Sequence, residues 1–77
     1  MEQQIFIEKF IEAIEIEDAS AVTGTTCFRN IEEWDSLAAL STISMIDDEF
    51  GVTINNKDLR SVETLDELYR LVTERAK

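Results

Sequence analysis

The chain contains no histidine, no proline, one cysteine and two isolated glycines. Without histidine it lacks the commonest general base and the commonest metal ligand, and no Ser-His or Cys-His pair can form. A single cysteine, Cys27, excludes an internal disulfide and a thiolate metal cluster. Gly24 and Gly51 belong to no phosphate-binding glycine motif. We therefore expect a protein that is not an enzyme, with no catalytic residues and no metal site.

Basic residues and long apolar runs are also scarce. Seven basic residues stand against seventeen acidic ones, which gives a net charge of −10. This charge opposes binding to nucleic acids and to anionic membranes, and it favours protein partners with basic patches. The start Met1-Glu2-Gln3-Gln4 lacks the basic residues of a signal peptide, and no apolar run is long enough to span a membrane. We expect a monomeric, cytoplasmic protein with a single domain over residues 1–77.

Apolar residues recur at helical spacing in several segments of the chain. One helix is expected from about Glu2 to Ile16 and a second from about Ser36 to Phe50. Residues 17–33, rich in Ser, Thr and turn formers, predict a long loop between them. Residues 55–60 allow a short helix, and the capping box Thr64-Leu65-Asp66-Glu67 opens a last one. The sequence thus predicts an all-α fold, a small four-helix bundle with three long helices and one short helix.

The stretch Trp34-Asp35-Ser36-Leu37 joins the long loop to the second helix. Asp and Ser are preferred N-cap residues, so Asp35 or Ser36 should cap this helix. A helix start has unpaired N–H groups and the positive end of the macrodipole, both of which suit a phosphate. Ser36 is therefore either a plain capping residue or a hydroxyl whose phosphate ester would be stabilised there. On these two residues alone, capping is the favoured interpretation.

The second helix predicts both a buried face and a surface pattern. A broad apolar arc on the helical wheel contains Ala39, Leu40, Ile43, Ile46 and Phe50. Leu37 and Met45 lie outside this arc, either as isolated apolar surface residues or as a stripe that faces a partner. Asp47, Asp48 and Glu49 oppose the macrodipole at the end of the helix. This unfavourable placement suggests that their acidity serves a partner.

Together these features resemble the acyl carrier proteins, and the resemblance covers the whole chain. It is strongest in residues 33–37, Glu-Trp-Asp-Ser-Leu, and in residues 46–54, Ile-Asp-Asp-Glu-Phe-Gly-Val-Thr-Ile. Asp-Ser-Leu alone is a weak motif, but its place at mid-chain, one helix before Asp-Glu-Phe-Gly-Val, makes the combination specific. The resemblance implies that a phosphopantetheinyl transferase attaches 4′-phosphopantetheine, taken from coenzyme A, covalently to Ser36. It also implies that the arm carries acyl groups as thioesters to acyl-loading and acyl-modifying enzymes.

The resemblance assigns further roles. Asp35 would be recognised by the transferase, and Leu37 and Met45 would contact partner enzymes. Asp47 and Asp48 would face the basic docking patches of those enzymes. The core-facing residues that correspond to the lining of the acyl-chain cavity are Leu40, Ile43, Ile46, Ile54, Leu59 and Val62.

Three features depart from the pattern of housekeeping fatty acid carriers. Trp34 stands where many of those carriers have glycine, and residues 38–44 contain no acid. Leu40 and Leu59 are bulky for cavity positions. These departures favour a specialised freestanding acyl carrier in a fatty acid, polyketide or related pathway. Because Trp-Asp-Ser also occurs in D-alanyl and some aminoacyl carriers, the alternative is an aminoacyl, D-alanyl or peptidyl carrier. An unmodified acidic interaction module is the more remote alternative.

Overall fold

The computed structural model describes residues 2–76, apart from the side chain of Ala21. In this range the helices are α1 (Gln3–Ala13), α2 (Ser36–Phe50), α3 (Asn56–Ser61) and α4 (Leu65–Ala76), with short 3₁₀ turns at Ala19–Ala21 and Phe28–Asn30. An isolated antiparallel bridge joins Cys27 to Thr64. The predicted all-α bundle of three long helices and one short helix is confirmed. The predicted domain also includes Met1 and Lys77, which lie outside the described residues.

Local capping groups set the starts of α3 and α4. The Asn55 side chain accepts the N–H of Asp58 at 2.9 Å, and the Asp58 carboxylate accepts the N–H of Asn55 at 3.0 Å. At α4, Glu67 donates its N–H to Thr64 Oγ1 at 3.2 Å, and its carboxylate accepts the N–H of Thr64 at 3.1 Å. Both reciprocal pairs satisfy N–H groups that a helix start leaves unpaired. The predicted capping box at residues 64–67 is therefore present.

Helix α1 ends three residues earlier than the sequence predicts. Its C-terminus is a Schellman motif, in which Ile16 donates its N–H to Ile11 O at 3.2 Å and Glu15 donates to Glu12 O at 3.3 Å. Glu15 takes the left-handed position, with φ of 53°. The apolar spacing continues through Ile14 and Ile16 because both side chains pack on the core after the helix has ended. Periodicity alone therefore overestimated the length of α1.

The core lies between α1, α2 and α4, and α3 packs against α2. Aromatic side chains form two groups along α1. Phe10 packs with Phe28 and Trp34 near the start of α2. Phe6 packs with Phe50 and Tyr69 near the end of α2. The other large buried side chains are Ile7, Ile14, Met45, Ile46, Val52, Ile54, Leu59, Leu65, Leu68 and Val72. No helix in residues 2–76 has the length and apolar character that crossing a membrane requires.

The short helix α3 is held from both sides by arginines. Arg29, in the long loop, donates to the backbone oxygens of Leu59 at 2.9 Å and Val62 at 2.5 Å. Arg75 binds the Asp58 carboxylate through two hydrogen bonds of 2.6 and 2.8 Å. The Arg75 guanidinium thereby holds the pKa of Asp58 below its usual value, although partial burial opposes this effect. These contacts fix α3 beside α2 although it has fewer than two helical turns.

Candidate functional site

Asp35, rather than Ser36, caps helix α2. The Asp35 backbone is extended, with φ of −152° and ψ of −169°, and its Oδ1 accepts the Ala38 N–H at 2.8 Å. Ser36 is consequently the first residue with helical conformation. Because Asp35 satisfies the cap, the Ser36 hydroxyl is not needed for it. The choice that the sequence left open between these two residues is thus decided by the backbone geometry.

The Ser36 side chain is exposed. Its Oγ forms no hydrogen bond with any residue in the described range. It lies at the positive end of a helix of fifteen residues. A hydroxyl so placed is accessible to a second protein, and a phosphate joined to it would be stabilised by the helix dipole.

Trp34 anchors the chain immediately before this serine. Its ring lies 5.0 Å from that of Phe28 in an edge-on arrangement and 6.2 Å from that of Phe10 in a stacked one, between ring centroids. The Trp34 N–H donates to Ile31 O at 3.0 Å, which closes the last turn of the loop. Aromatic pairs of this geometry add about 0.5–1.5 kcal/mol each beyond the burial of their area. The tryptophan therefore gives the start of α2 a fixed direction.

An open depression of about 480 Å³ lies beside Ser36. Its lining residues are Trp34, Asp35, Ser36, Ala39, Leu40, Asn56 and Arg60. Asn56 and Arg60, which α3 brings to the serine, were not predicted from the sequence to lie at this site. The one signal for Arg60 in the sequence is its positive charge in a strongly acidic chain.

The buried face of α2 differs from the face that the sequence predicts. Met45 is 8% exposed and belongs to the core, whereas Leu40 is 57% exposed. The predictions that Met45 lies off the core and that Leu40 faces it are therefore wrong. The buried residues Ala38, Thr42, Met45 and Ile46 show that the true arc is rotated by roughly 100°, at 100° per residue. Leu37 is 72% exposed, as its place off the predicted arc implies.

The rotation has a physical cause. Apolar residues surround much of α2, so the helix alone does not determine which side is buried. Packing against α1 selects the side with Met45, and α3 covers only part of the opposite side. Thr42 tolerates full burial because its hydroxyl donates to Ala38 O at 2.8 Å.

The other predicted cavity residues occupy two environments. Ile46, Ile54 and Leu59 are 0, 3 and 3% exposed and belong to the core. Ile43 and Val62 are half-buried at its edge. These five residues therefore lie in the core or against it, whereas Leu40 does not.

The acidic end of α2 lies on the surface, as the sequence suggests. Asp47, Asp48 and Glu49 are all exposed, and Glu49 forms an ion pair of 3.3 Å with Lys9 of α1. A second depression, of about 380 Å³, lies between this end of α2 and α1. Its lining residues are Lys9, Glu12, Ala13, Ser41, Ser44, Met45, Asp48 and Glu49. Met45 thus contributes to the floor of a surface feature although its side chain is mostly buried.

Comparison with known proteins adds a family to this geometry. The family model described as "Phosphopantetheine attachment site" matches residues 4–72, which is most of the chain. No curated protein matches the sequence. Members of the matching family carry covalently attached 4′-phosphopantetheine.

Proposed function

The chain belongs to the phosphopantetheine-attachment-site family, and on that premise we propose that Ser36 Oγ is the atom to which 4′-phosphopantetheine is joined. Carrier domains of this family are not catalytic themselves and work with a phosphopantetheinyl transferase and other enzymes. The observation that carries the proposal is the exposed Ser36 hydroxyl at the first position of α2, where Asp35 has already supplied the cap.

The chemistry around Ser36 fits the group. In the transfer, a bond forms between Ser36 Oγ and the phosphorus next to the pantetheine of coenzyme A, and the bond from that phosphorus to the nucleotide part breaks. The transferase has to accept the hydroxyl proton because this chain has no histidine. The N-terminus of α2 then faces the phosphodiester, whose negative charge it stabilises. When bound, the group supplies a terminal thiol that holds a carboxylic acid as a thioester.

We propose an acyl group as the cargo, in a fatty acid, polyketide or related biosynthetic pathway. The predicted lining residues Ile46, Ile54 and Leu59 form an apolar region under α2 and α3 that suits an alkyl chain. The second candidate is an aminoacyl, D-alanyl or peptidyl cargo. It is favoured by the sequence Trp34-Asp35-Ser36, which resembles the Trp-Asp-Ser of D-alanyl and some aminoacyl carriers. Such small polar cargo needs no apolar cavity.

Attaching short and long acyl chains distinguishes the two cargo classes. We expect an octanoyl arm, but not an acetyl arm, to shift the ¹³C-methyl NMR signals of Ile54 and Leu59, because a chain that enters the core changes their surroundings. Signals that stay the same with both arms would contradict the acyl-cavity proposal and favour the aminoacyl one. The methyl groups of Val72, which is buried on α4 and is not one of the predicted lining residues, provide the control.

For docking, we propose that partner enzymes contact exposed Leu37 and the acidic end of α2. Asp47 and Asp48 are exposed and have no basic partner among the described residues, so they are available to a basic patch. Replacing both with Lys should weaken partner binding and reduce its dependence on salt. Replacing Asp66 and Glu74 of α4 with Lys gives the same change in net charge on another helix. Equal effects of the two double variants would contradict a docking role for Asp47 and Asp48.

The proposed attachment is tested by the intact mass of the protein before and after incubation with coenzyme A, Mg²⁺ and a broad-specificity phosphopantetheinyl transferase. We expect a gain of one phosphopantetheine in the wild type and no gain in Ser36→Ala. Ser44→Ala is the matched control, since Ser44 is an exposed serine of the same helix, and it should gain the full mass. A folded wild type that gains nothing, or a Ser36→Ala variant that is still modified, would overturn the proposal.

A further inference from the structure

We infer that Arg60 binds the phosphodiester formed on Ser36, so that a cation of α3 positions the first part of the arm. This inference rests on the proposed attachment at Ser36 and adds a residue that holds the attached group. The observation behind it is that α3 places a guanidinium in the depression that also contains the serine.

Ser36, from α2, and Arg60, from α3, line the same depression although they are distant in sequence. Asn56, one helical turn before Arg60, lines it as well and provides an uncharged amide donor. A planar guanidinium with several N–H donors suits the oxygens of a phosphate better than any other side chain does. The depression therefore combines the modified atom with donors suited to the group joined to it.

The guanidinium of Arg60 is available to a ligand. Three of the six basic side chains in the described range are already engaged: Lys9 with Glu49, Arg29 with two backbone oxygens, and Arg75 with Asp58. Arg60 has no ion pair or hydrogen bond with any residue in 2–76. Asp58, the nearest carboxylate along α3, is bound by Arg75 through both of its oxygens. The guanidinium of Arg60 is thus free to bind an anion from outside the fold.

Arg60 also balances the negative charges that would meet in this depression. Asp35 also lines the depression, and its Oδ1 accepts the Ala38 N–H at 2.8 Å as the cap of α2. A phosphodiester on Ser36 adds a second negative charge next to this carboxylate. A nearby cation offsets the repulsion between two such charges. Arg60 is the cation that lines this depression.

The apolar part of the depression fits the next part of the arm. Ala39 and Leu40 line it, and Leu40 is 57% exposed. In phosphopantetheine, a carbon with two methyl groups follows the phosphate. The Arg60 guanidinium would bind the phosphate, and the neighbouring Leu40 side chain would contact the two methyl groups. The exposure of Leu40, unexpected from the sequence, is explained if the arm covers it.

The test uses the loaded protein and NMR readouts that do not depend on any partner enzyme. Wild type, Arg60→Gln, Arg60→Lys and Arg70→Gln are loaded from coenzyme A, and intact mass establishes the loading of each. Arg70 is the matched control because it is an exposed arginine of α4 that lines a different depression. The measurements are the ³¹P relaxation of the phosphodiester and the ¹⁵N–¹H signal of the Arg60 side chain before and after loading.

We expect loading to shift the Arg60 Nε–H signal in the wild type and to leave that of Arg70 unchanged. The restricted motion of the phosphorus should be lost in Arg60→Gln, kept in Arg70→Gln and partly kept in Arg60→Lys, which retains the charge without the planar fork. Raising the salt from about 10 mM to about 0.5 M should have the same effect as Arg60→Gln, because the pair is exposed to solvent.

Two results would contradict the proposals in different ways. A wild type that loads fully, with ³¹P relaxation equal to that of Arg60→Gln, would overturn the role of Arg60 and leave the attachment intact. A wild type that gains no mass would overturn the attachment at Ser36 and, with it, this inference. Circular dichroism of each variant checks that an exposed substitution has left the helices in place.

Discussion

The two ends of helix α2 differ in charge, in exposed apolar area and in what supports them. The first half has no acidic residue after Asp35, and it exposes Leu37 and Leu40, of which Leu40 lines the depression of Arg60. The last turn carries three exposed acids, of which Glu49 pairs with Lys9. The start of α2 therefore suits a covalently attached anionic arm and apolar contacts, whereas its last turn suits docking that is steered by charge.

The distance between these ends keeps their electrostatic effects apart. Asp47 lies eleven positions after Ser36, which corresponds to roughly 16 Å along the helix axis. This exceeds the Debye length of about 8 Å at physiological ionic strength. The acidic end therefore adds little repulsion to a phosphate on Ser36. One helix can therefore carry the proposed attachment site and the proposed acidic docking surface without conflict.

The largest expected effect concerns the aromatic groups under the two ends. Phe28 is fully buried between Phe10 and Trp34, so Phe28→Ala should reduce the free energy of unfolding by about 3–5 kcal/mol. Phe50, under the other end, is half-buried, and Phe50→Ala should cost less. Urea unfolding measures both. Should Phe28→Ala fail to fold, Phe28→Leu, with an expected loss below about 1.5 kcal/mol, keeps the comparison measurable. Equal losses at the two ends would contradict the proposed difference in support.

A second pair of variants tests which face of α2 is buried. Met45→Ala should reduce the free energy of unfolding by about 2–5 kcal/mol, because it removes a core side chain. Leu40→Ala should change it by less than about 0.5 kcal/mol, because Leu40 lies on the surface. Chemical denaturation of both variants gives the values. A larger loss of stability in Leu40→Ala than in Met45→Ala would contradict the observed buried face of α2 and support the face that the sequence predicts.

A third pair should give changes of opposite sign at the two ends. Asp35→Ala removes the cap of α2 and should destabilise the protein by about 1 kcal/mol. Asp48→Lys removes an exposed acid from the negative end of the dipole and should stabilise it by about 0.3–1 kcal/mol. Thermal unfolding at low salt shows both shifts. A loss of stability in Asp48→Lys would mean that the acidic end has a structural role.

The smallest expected effect is a dependence of stability on pH. Hydrogen bonds from Arg75 lower the pKa of Asp58, so the folded protein binds its proton less readily than the unfolded chain does. The pair therefore stabilises the fold above the unfolded pKa of about 4, and this stabilisation is lost as the pH falls through the folded value. Because the Arg75 side of the pair is exposed to solvent, we expect a contribution of less than about 1 kcal/mol. Unfolding between pH 7 and 3 should show a shallower decline in Asp58→Asn than in Asp48→Asn. Identical pH profiles would contradict this contribution.

Much of the candidate site follows from local sequence, and the rest does not. The bounds of α2 agree with the prediction because local residues set both of them. The Asp35 side chain caps the start, and Gly51 takes the left-handed conformation that ends the helix. The same local signal predicts Ser36, the proposed attachment residue, at the start of α2. Arg60 was missed because nothing near it in sequence shows that α3 will bring it to Ser36.

The sequence by itself determined the helices, their caps and the position of Ser36, since these depend on residues within about one turn of each other. Only the tertiary structure decided that Met45 is buried, that Leu40 is exposed and that α1 ends at Ala13. A helix with apolar residues on most sides has no preferred buried face until its neighbours pack against it. The packing of α1 and α3 on α2 thus determined which groups surround the serine.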